Sequence, residues 1–186
     1  DRYGVPERMN LVVGTLIGNE RGYGFLNPDD EDMKDVFIAA DNMGGAMHND
    51  RVVARLTQKV IGDKKAEGEV IKILQRANET LVGTFEQSEY FGFVVPDDRR
   101  ISGDIFIPKA EFNGAQPGQK VVVRITQWPD HRRNAEGQII EIIGYKDQPG
   151  VDIVSIMKSY GLKSEFPESV IKEAESIEDF VPEEMM

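Results

Sequence analysis

The chain has 186 residues, 30% of them charged, and a formal net charge of −11. With no cysteine and only His48 and His131, it has no material for a disulfide framework, a thiolate metal site or cysteine–histidine catalysis, and too few ligands for a histidine-rich zinc centre; a reducing, cytoplasmic setting suits it. The acidity argues at first sight against a nucleic-acid partner, which wants a basic surface, and no apolar run approaches the ~20 residues of a membrane-spanning helix.

Residues 1–9 read as an N-terminal extension, and a chain that opens on Asp1 rather than Met is expected to be a processed or excised piece. From residue 10, short segments rich in Val, Ile, Phe and Thr alternate with Gly, Pro, Asn and Asp, which is a strand-and-turn pattern. Five strands are expected at 10–18, 22–28, 35–39, 51–58 and 68–76. The same text then recurs. Gly14-Thr15 returns as Gly83-Thr84, and Gly24-Phe25-x-x-Pro28-Asp29-Asp30 returns as Gly92-Phe93-x-x-Pro96-Asp97-Asp98. Asp35-Val36-Phe37-Ile38 returns as Asp104-Ile105-Phe106-Ile107, and Arg51-Val52-Val53 as Lys120-Val121-Val122. An internal repeat at an offset of 69 residues, slipping to 68 across one inserted residue, marks two copies of one module, with a second set of strands at 80–87, 90–96, 104–108, 120–127 and 136–144. The fold class expected is therefore mainly β: two tandem five-stranded oligonucleotide-binding (OB) type barrels, residues 10–78 and 79–146, with an SH3-like barrel as the structural competitor. Gly14 and Gly83 are placed for the bend of a long first strand at a barrel corner. The remaining residues, 147–186, read as a helical linker. Ile153, Ile156, Met157 and Tyr160 form one apolar stripe closed by Gly161, and a second run begins at Pro167 with Val170, Ile171, Ala174 and Ile177 on one face. Both stripes need a partner surface.

The candidate site begins at Arg21-Gly22-Tyr23-Gly24-Phe25. On a strand Tyr23 and Phe25 share one face, the flanking glycines leave the sheet bare beside them, and Phe37 points outward between core-bound Val36 and Ile38. Three such rings make a platform on which nucleic-acid bases stack, each stack contributing ~1–3 kcal/mol. The matching rings in the second copy are Phe91, Phe93 and Phe106, with Lys109 just beyond. Core packing of these aromatics is the competing reading. The repetition, and the aliphatic neighbours on the opposite face, favour the platform. The loops between the fourth and fifth strands add Lys59, Lys64 and Lys65 in the first copy. In the second they add Trp128, Arg132 and Arg133 beside His131. Such loops border the groove of an OB barrel; Trp128 either stacks on a base or caps the barrel end. Asp29 to Asp32 with Asp35 lack the spacing and turn glycine of an EF-hand and read as a solvated loop. His48 reads as a surface residue in a turn. No nucleophile elbow, phosphate-binding loop or zinc-protease motif occurs, and no active site is found.

At these residues the chain resembles the cold-shock domain family. Arg21-Gly22-Tyr23-Gly24-Phe25 is similar to its first RNA-binding motif, Lys-Gly-Phe-Gly-Phe, and Val36-Phe37-Ile38 and Ile105-Phe106-Ile107 to its second, Val-Phe-Val-His. Ala39 and Pro108 stand where that family has histidine, and Glu89 stands where the basic residue of the first motif belongs, so the second copy is expected to bind more weakly. Two such barrels followed by Gly150-Val151-Asp152-Ile153 and Phe166-Pro167 resemble the N-terminal half of the ribonuclease R-type enzymes of the ribonuclease II (RNB) family, over about residues 10–178. That resemblance implies RNA capture for a 3′→5′ exoribonuclease, with single-stranded RNA and the RNB domain of the same polypeptide as partners. It attaches magnesium only to that catalytic domain, whose Asp-x-x-Asp-x-Asp-Asp cluster is missing here. The chain itself is expected to carry no cofactor and to be inactive as a nuclease.

Divided by segment, the acidity no longer opposes this reading. Residues 1–79 carry 11 basic and 14 acidic side chains, residues 80–146 carry 8 and 9, and residues 147–186 carry 3 and 10. Most of the excess sits in the tail. A stand-alone hydrolase, a stand-alone cold-shock-like RNA-binding protein and an interaction scaffold are the alternatives; RNA and DNA are not distinguished by any residue here.

Overall fold

The structure, a computed structural model, describes residues 10–58, 66–130 and 132–162. Period-two burial shapes each copy: in β1 (Leu11–Gly18) Val12, Gly14, Leu16 and Gly18 turn inward and their neighbours do not. β2 (Gly24–Pro28), β3 (Val36–Ile38), β4 (Arg51–Gln58) and β5 (Ala66–Gln75) follow, then β6 (Thr80–Gln87), β7 (Gly92–Pro96), β8 (Ile105–Ile107), β9 (Gln119–Gln127) and β10 (Glu136–Tyr145).

Each set of five strands closes into a barrel, in the orders β1-β2-β3-β5-β4 and β6-β7-β8-β10-β9. All pairings are antiparallel except β3 with β5 and β8 with β10, which run parallel and complete the closure. That order and closure are those of the OB barrel, not of an SH3-like one, and they remove the free sheet edges of five short strands. Register shifts along β4–β5 and β9–β10 supply the extra local twist that curling needs. Gly14 and Gly83 serve close approach: a Cβ on either would overlap the carbonyl oxygen of Asn27 or Val95 on the neighbouring strand.

The repeat extends to surface pairs. Arg51 bonds Asp29 in the first barrel, and Lys120 bonds Asp97 at the matching place in the second. Each barrel has its own core. Leu16, Leu26, Val36, Ile38 and Val52 fill the first. Phe85, Val94, Ile105, Ile107, Val121 and Ile139 fill the second, which also takes in Met47 from the first copy.

Two sequence expectations are corrected here. His48 is not a surface residue: it is 2% exposed, in the seam between the barrels. The helix α1 (Val151–Ser159) forms and ends as expected on Gly161, at φ 68°, with Gly161 N–H donating to the Lys158 carbonyl and Leu162 N–H to that of Met157. That is a Schellman stop, for which glycine is the favoured residue. Its apolar stripe, however, is not the face laid on the barrel. Val151 and Ser155 are buried, and Lys158 reaches Glu141 of β10 at 2.9 Å, while Ile153 and Ile156 are 62% and 60% exposed. The second helical run, 167–177, lies outside the described residues.

Candidate nucleic-acid interface

Tyr23 immediately precedes β2, and Phe25 sits within it directly opposite Phe37 of β3. The three rings form one cluster. Tyr23 and Phe25 lie 5.9 Å apart edge to face, Tyr23 and Phe37 5.6 Å, and Phe25 and Phe37 5.7 Å. All three are half-buried, while Leu26, Val36 and Ile38 beside them are fully enclosed. The rings therefore stand on the outer face of the sheet with their aliphatic neighbours in the core. In the second barrel Phe91 and Phe106 lie 5.7 Å apart, 41% and 38% exposed, and Phe93 is paired in register with Phe106.

The glycines between the rings work differently from the expectation. Gly24 and Gly92 do not bare the outer surface; both are buried and face inward. A Cβ on Gly24 would meet Leu16 and Met43, and one on Gly92 would overlap Phe85 and press on Phe112 at 2.7 Å. With side chains alternating, an outward ring at position 23 or 25 puts position 24 inside, where the core leaves no room.

Register also shows what flanks the rings, which the sequence reading missed. Phe25 pairs with Ile17 of β1, and Phe37 with Glu67 of β5. In the second barrel Phe93 pairs with Glu86, and Phe106 with Glu136. One carboxylate borders the first cluster and two border the second, where Glu89 also stands in the loop before the rings. Only knowing which strands pair reveals this. Tyr90, 77% exposed beside Phe91, is a further aromatic that the repeat did not single out.

Arg21 is exposed in the turn leading to Tyr23, its N–H held by the Asn19 side chain at 3.0 Å. Lys109 is exposed in a short 3-10 turn after β8. Lys59, Lys64, Lys65 and His131 lie outside the described residues. Arg132 and Arg133 are exposed but organised around Asp130, whose carboxylate accepts both their N–H groups at 2.8 and 3.0 Å and meets the Arg133 guanidinium at 3.3 Å. Those backbone donors, with the guanidinium, hold the Asp130 carboxyl below its usual range. Part of the positive charge expected of this loop is thus matched locally. Trp128 is partly buried against the second core, with the Arg76 guanidinium 4.3 Å from its ring centre.

The acidic run at 29–35 is exposed, with Asp29 engaged by Arg51. Among the described residues no group of three or more His, Asp or Glu side chains is arranged to hold a metal ion. Among the same residues no helix is long and apolar enough to cross a membrane.

Family models match a part of each barrel. The family model described as the Ribonuclease B OB domain matches residues 14–73, and the cold shock domain model matches residues 93–167. Ribonuclease R of Acidithiobacillus ferrooxidans is 34% identical over 98% of the chain, and Ribonuclease R of Escherichia coli (strain K12) is also 34% identical over 98%. The chain spans 42% and 22% of the length of those two relatives. Among solved structures, RNase R of Mycoplasma genitalium in complex with ribose methylated single-stranded RNA superposes with a TM-score of 0.74 at 23% identity, covering 93% of this chain and 28% of that one.

Proposed function

We propose, for a chain made of the tandem OB and cold-shock domains of the ribonuclease R family, that its two barrels bind single-stranded RNA and deliver it to the catalytic domain of a 3′→5′ exoribonuclease. The observation that carries the reading is the cluster of Tyr23, Phe25 and Phe37, three outward rings within 6 Å of one another by centroid. Rings that the core does not need, standing on a sheet face beside exposed Arg21, offer stacking surface to unpaired bases without regard to their identity. A structural neighbour of 23% identity was solved with single-stranded RNA, which supports the choice of ligand class for this fold.

On this reading the first barrel is the stronger binder, and binding follows the phosphate backbone and the base faces rather than the sequence. Affinity for labelled oligo-U or oligo-A, read by fluorescence anisotropy, should fall steeply with salt, log affinity losing ~0.7 per log unit of salt for each phosphate neutralised on a single strand. No binding even at low salt would overturn the reading.

The outward stripe Ile153 and Ile156 favours one alternative, a scaffold whose helix docks on another domain. Polar substitution of Ile153, Ile156 and Met157 separates the two: loss of assembly with a catalytic domain at unchanged RNA affinity favours the scaffold.

A further inference from the structure

We propose that Asp50 and Arg76 are positioning residues that lock the two barrels into one rigid unit, so that a single RNA strand engages both aromatic clusters; the proposal rests on the RNA-binding reading above.

Asp50 has no exposed surface and its carboxylate accepts three donors. Met47 N–H and the Arg76 guanidinium reach Oδ2, both at 2.9 Å, and Ala77 N–H reaches Oδ1 at 2.9 Å. Arg76 and Ala77 belong to the short connection between β5 and β6, so a carboxylate of the first barrel grips the linker itself. Arg76 Nη1 also donates to the Gly45 carbonyl at 2.8 Å, and the guanidinium lies over Trp128 of the second barrel. Further along the linker, the Asn78 side chain donates to the His48 carbonyl. The linker is thus held from both sides.

The barrels also meet without it. Met47 enters the second core. Gly18 and Gly45 approach the Arg100 and Pro129 carbonyl oxygens so closely that a Cβ on either would overlap them. A buried ion pair adds little net stability against its desolvation cost, and its best-attested use is to fix one arrangement among several. Here the arrangement fixed is that of one barrel on the other.

A cleft of about 290 Å³ at this seam gives the arrangement its consequence. Gly22, which precedes Tyr23, lines it from the first barrel, and Ser102 and Gly103, which lead into β8 and Phe106, line it from the second. The segments that carry the two ring clusters border one cleft. Holding two binding surfaces in fixed relation makes the second engagement intramolecular, and linkage of this kind raises affinity by ~10²–10⁴ with no new contact.

The test compares oligo-U of about 4 nucleotides, short enough for one such barrel to hold, and about 20, longer than the site of one barrel, with the 186-residue chain and its Asp50→Asn and Arg76→Ala variants. Amide 15N relaxation on the same samples reads the tumbling of each barrel, and thermal melts check that the variants fold. Asp50 is enclosed, so no effect of Asp50→Asn on RNA stems from a lost contact with it; Arg76→Ala stands in where Asp50→Asn does not fold. The expected result is a wild type whose barrels tumble together and which prefers the long oligonucleotide by at least ~100-fold. The variants should tumble with separate correlation times and lose about tenfold of that preference, with short-oligonucleotide affinity unchanged. An unchanged preference, or equal losses for both lengths, overturns the positioning role. So does separate tumbling in the wild type. A wild type that tumbles as one body yet binds neither oligonucleotide overturns the RNA reading and the positioning role with it, an outcome distinct from a loose joint.

Discussion

Tyr23, Phe25 and Phe37 lie within contact distance of one another, yet none of them closes the core beneath. Truncating them therefore removes stacking surface at small cost to the fold. At ~1–3 kcal/mol per stacked base, a double change of Tyr23 and Phe25 to Ala should weaken RNA binding by at least ~30-fold. The matching change at Phe91 and Phe93 should cost less, because Glu86 and Glu136 pair with the rings there and hold the phosphates off, so that bases stack on those rings less in the parent and there is less binding to lose. Anisotropy titrations of both double variants decide this, and equal losses would contradict the asymmetry. Gly92 belongs to the same scale with the opposite signature. Its missing side chain keeps Phe85 and Phe112 in place, so Gly92→Ala should overpack the second barrel and lower the unfolding free energy by about 1–3 kcal/mol in a urea melt. A Gly92→Ala protein as stable as the parent would return the glycine to the surface role its sequence context suggested. The sequence, with its Gly-aromatic-Gly-aromatic pattern, reveals that rings and glycines alternate; it does not reveal which set faces the core, because both assignments obey the same period.

α1 carries that lesson to the element. Its i, i+3, i+4, i+7 spacing identified a helix and Gly161 its end, since both are local properties of the chain. The face it buries is decided by what it meets. The barrel wall accepts Val151, Ser155 and the Lys158–Glu141 pair, and the larger residues of the apolar stripe are left outside. Val151→Ala should then cost about 1–2 kcal/mol, while Ile156→Ser should fall within ~0.5 kcal/mol of the parent; a larger loss for Ile156→Ser by chemical denaturation would mean that the stripe is covered in solution. The strands were legible for a related reason. Short Val- and Ile-rich runs between turn residues, seen twice, leave few arrangements other than a closed barrel. Pairing partners such as Glu67, Glu86 and Glu136 were not legible, because register joins residues far apart in the chain.

The seam between the barrels is the least legible part of the whole molecule. Its members are ordinary residues until the fold assembles them, Asp50 with Arg76 across 26 positions and Gly18 with His48 across 30. His48 gives the seam a pH dependence. Gly18 N–H donates to Nδ1 at 3.2 Å, so that nitrogen carries no proton, and Nε2 is enclosed without an acceptor among the described residues. Protonation would force a donor against a donor and leave a charge out of water. Burial, followed by the nearby positive charge of Arg100, lowers the His48 pKa against the opposing pull of Asp98 and Asp50. Between the ordinary histidine pKa of ~6.5 and the lower folded value, the unfolded chain binds a proton that the folded chain does not, so stability is full above ~6.5 and declines as pH falls below it. Asp98, held low first by its hydrogen bond from Arg100, contributes stability that is lost only at more acid pH, below the ordinary carboxylate range of ~4. The interval between about pH 4 and 6.5 therefore isolates the histidines. Urea unfolding at about pH 7 and about pH 5 should show the wild type losing stability on acidification. His48→Asn, whose side-chain oxygen can still accept from Gly18 but does not titrate, should lose less. His131 is present in both proteins and cancels from the comparison. Equal losses in the two would mean that the proton goes elsewhere and that the seam is indifferent to acid.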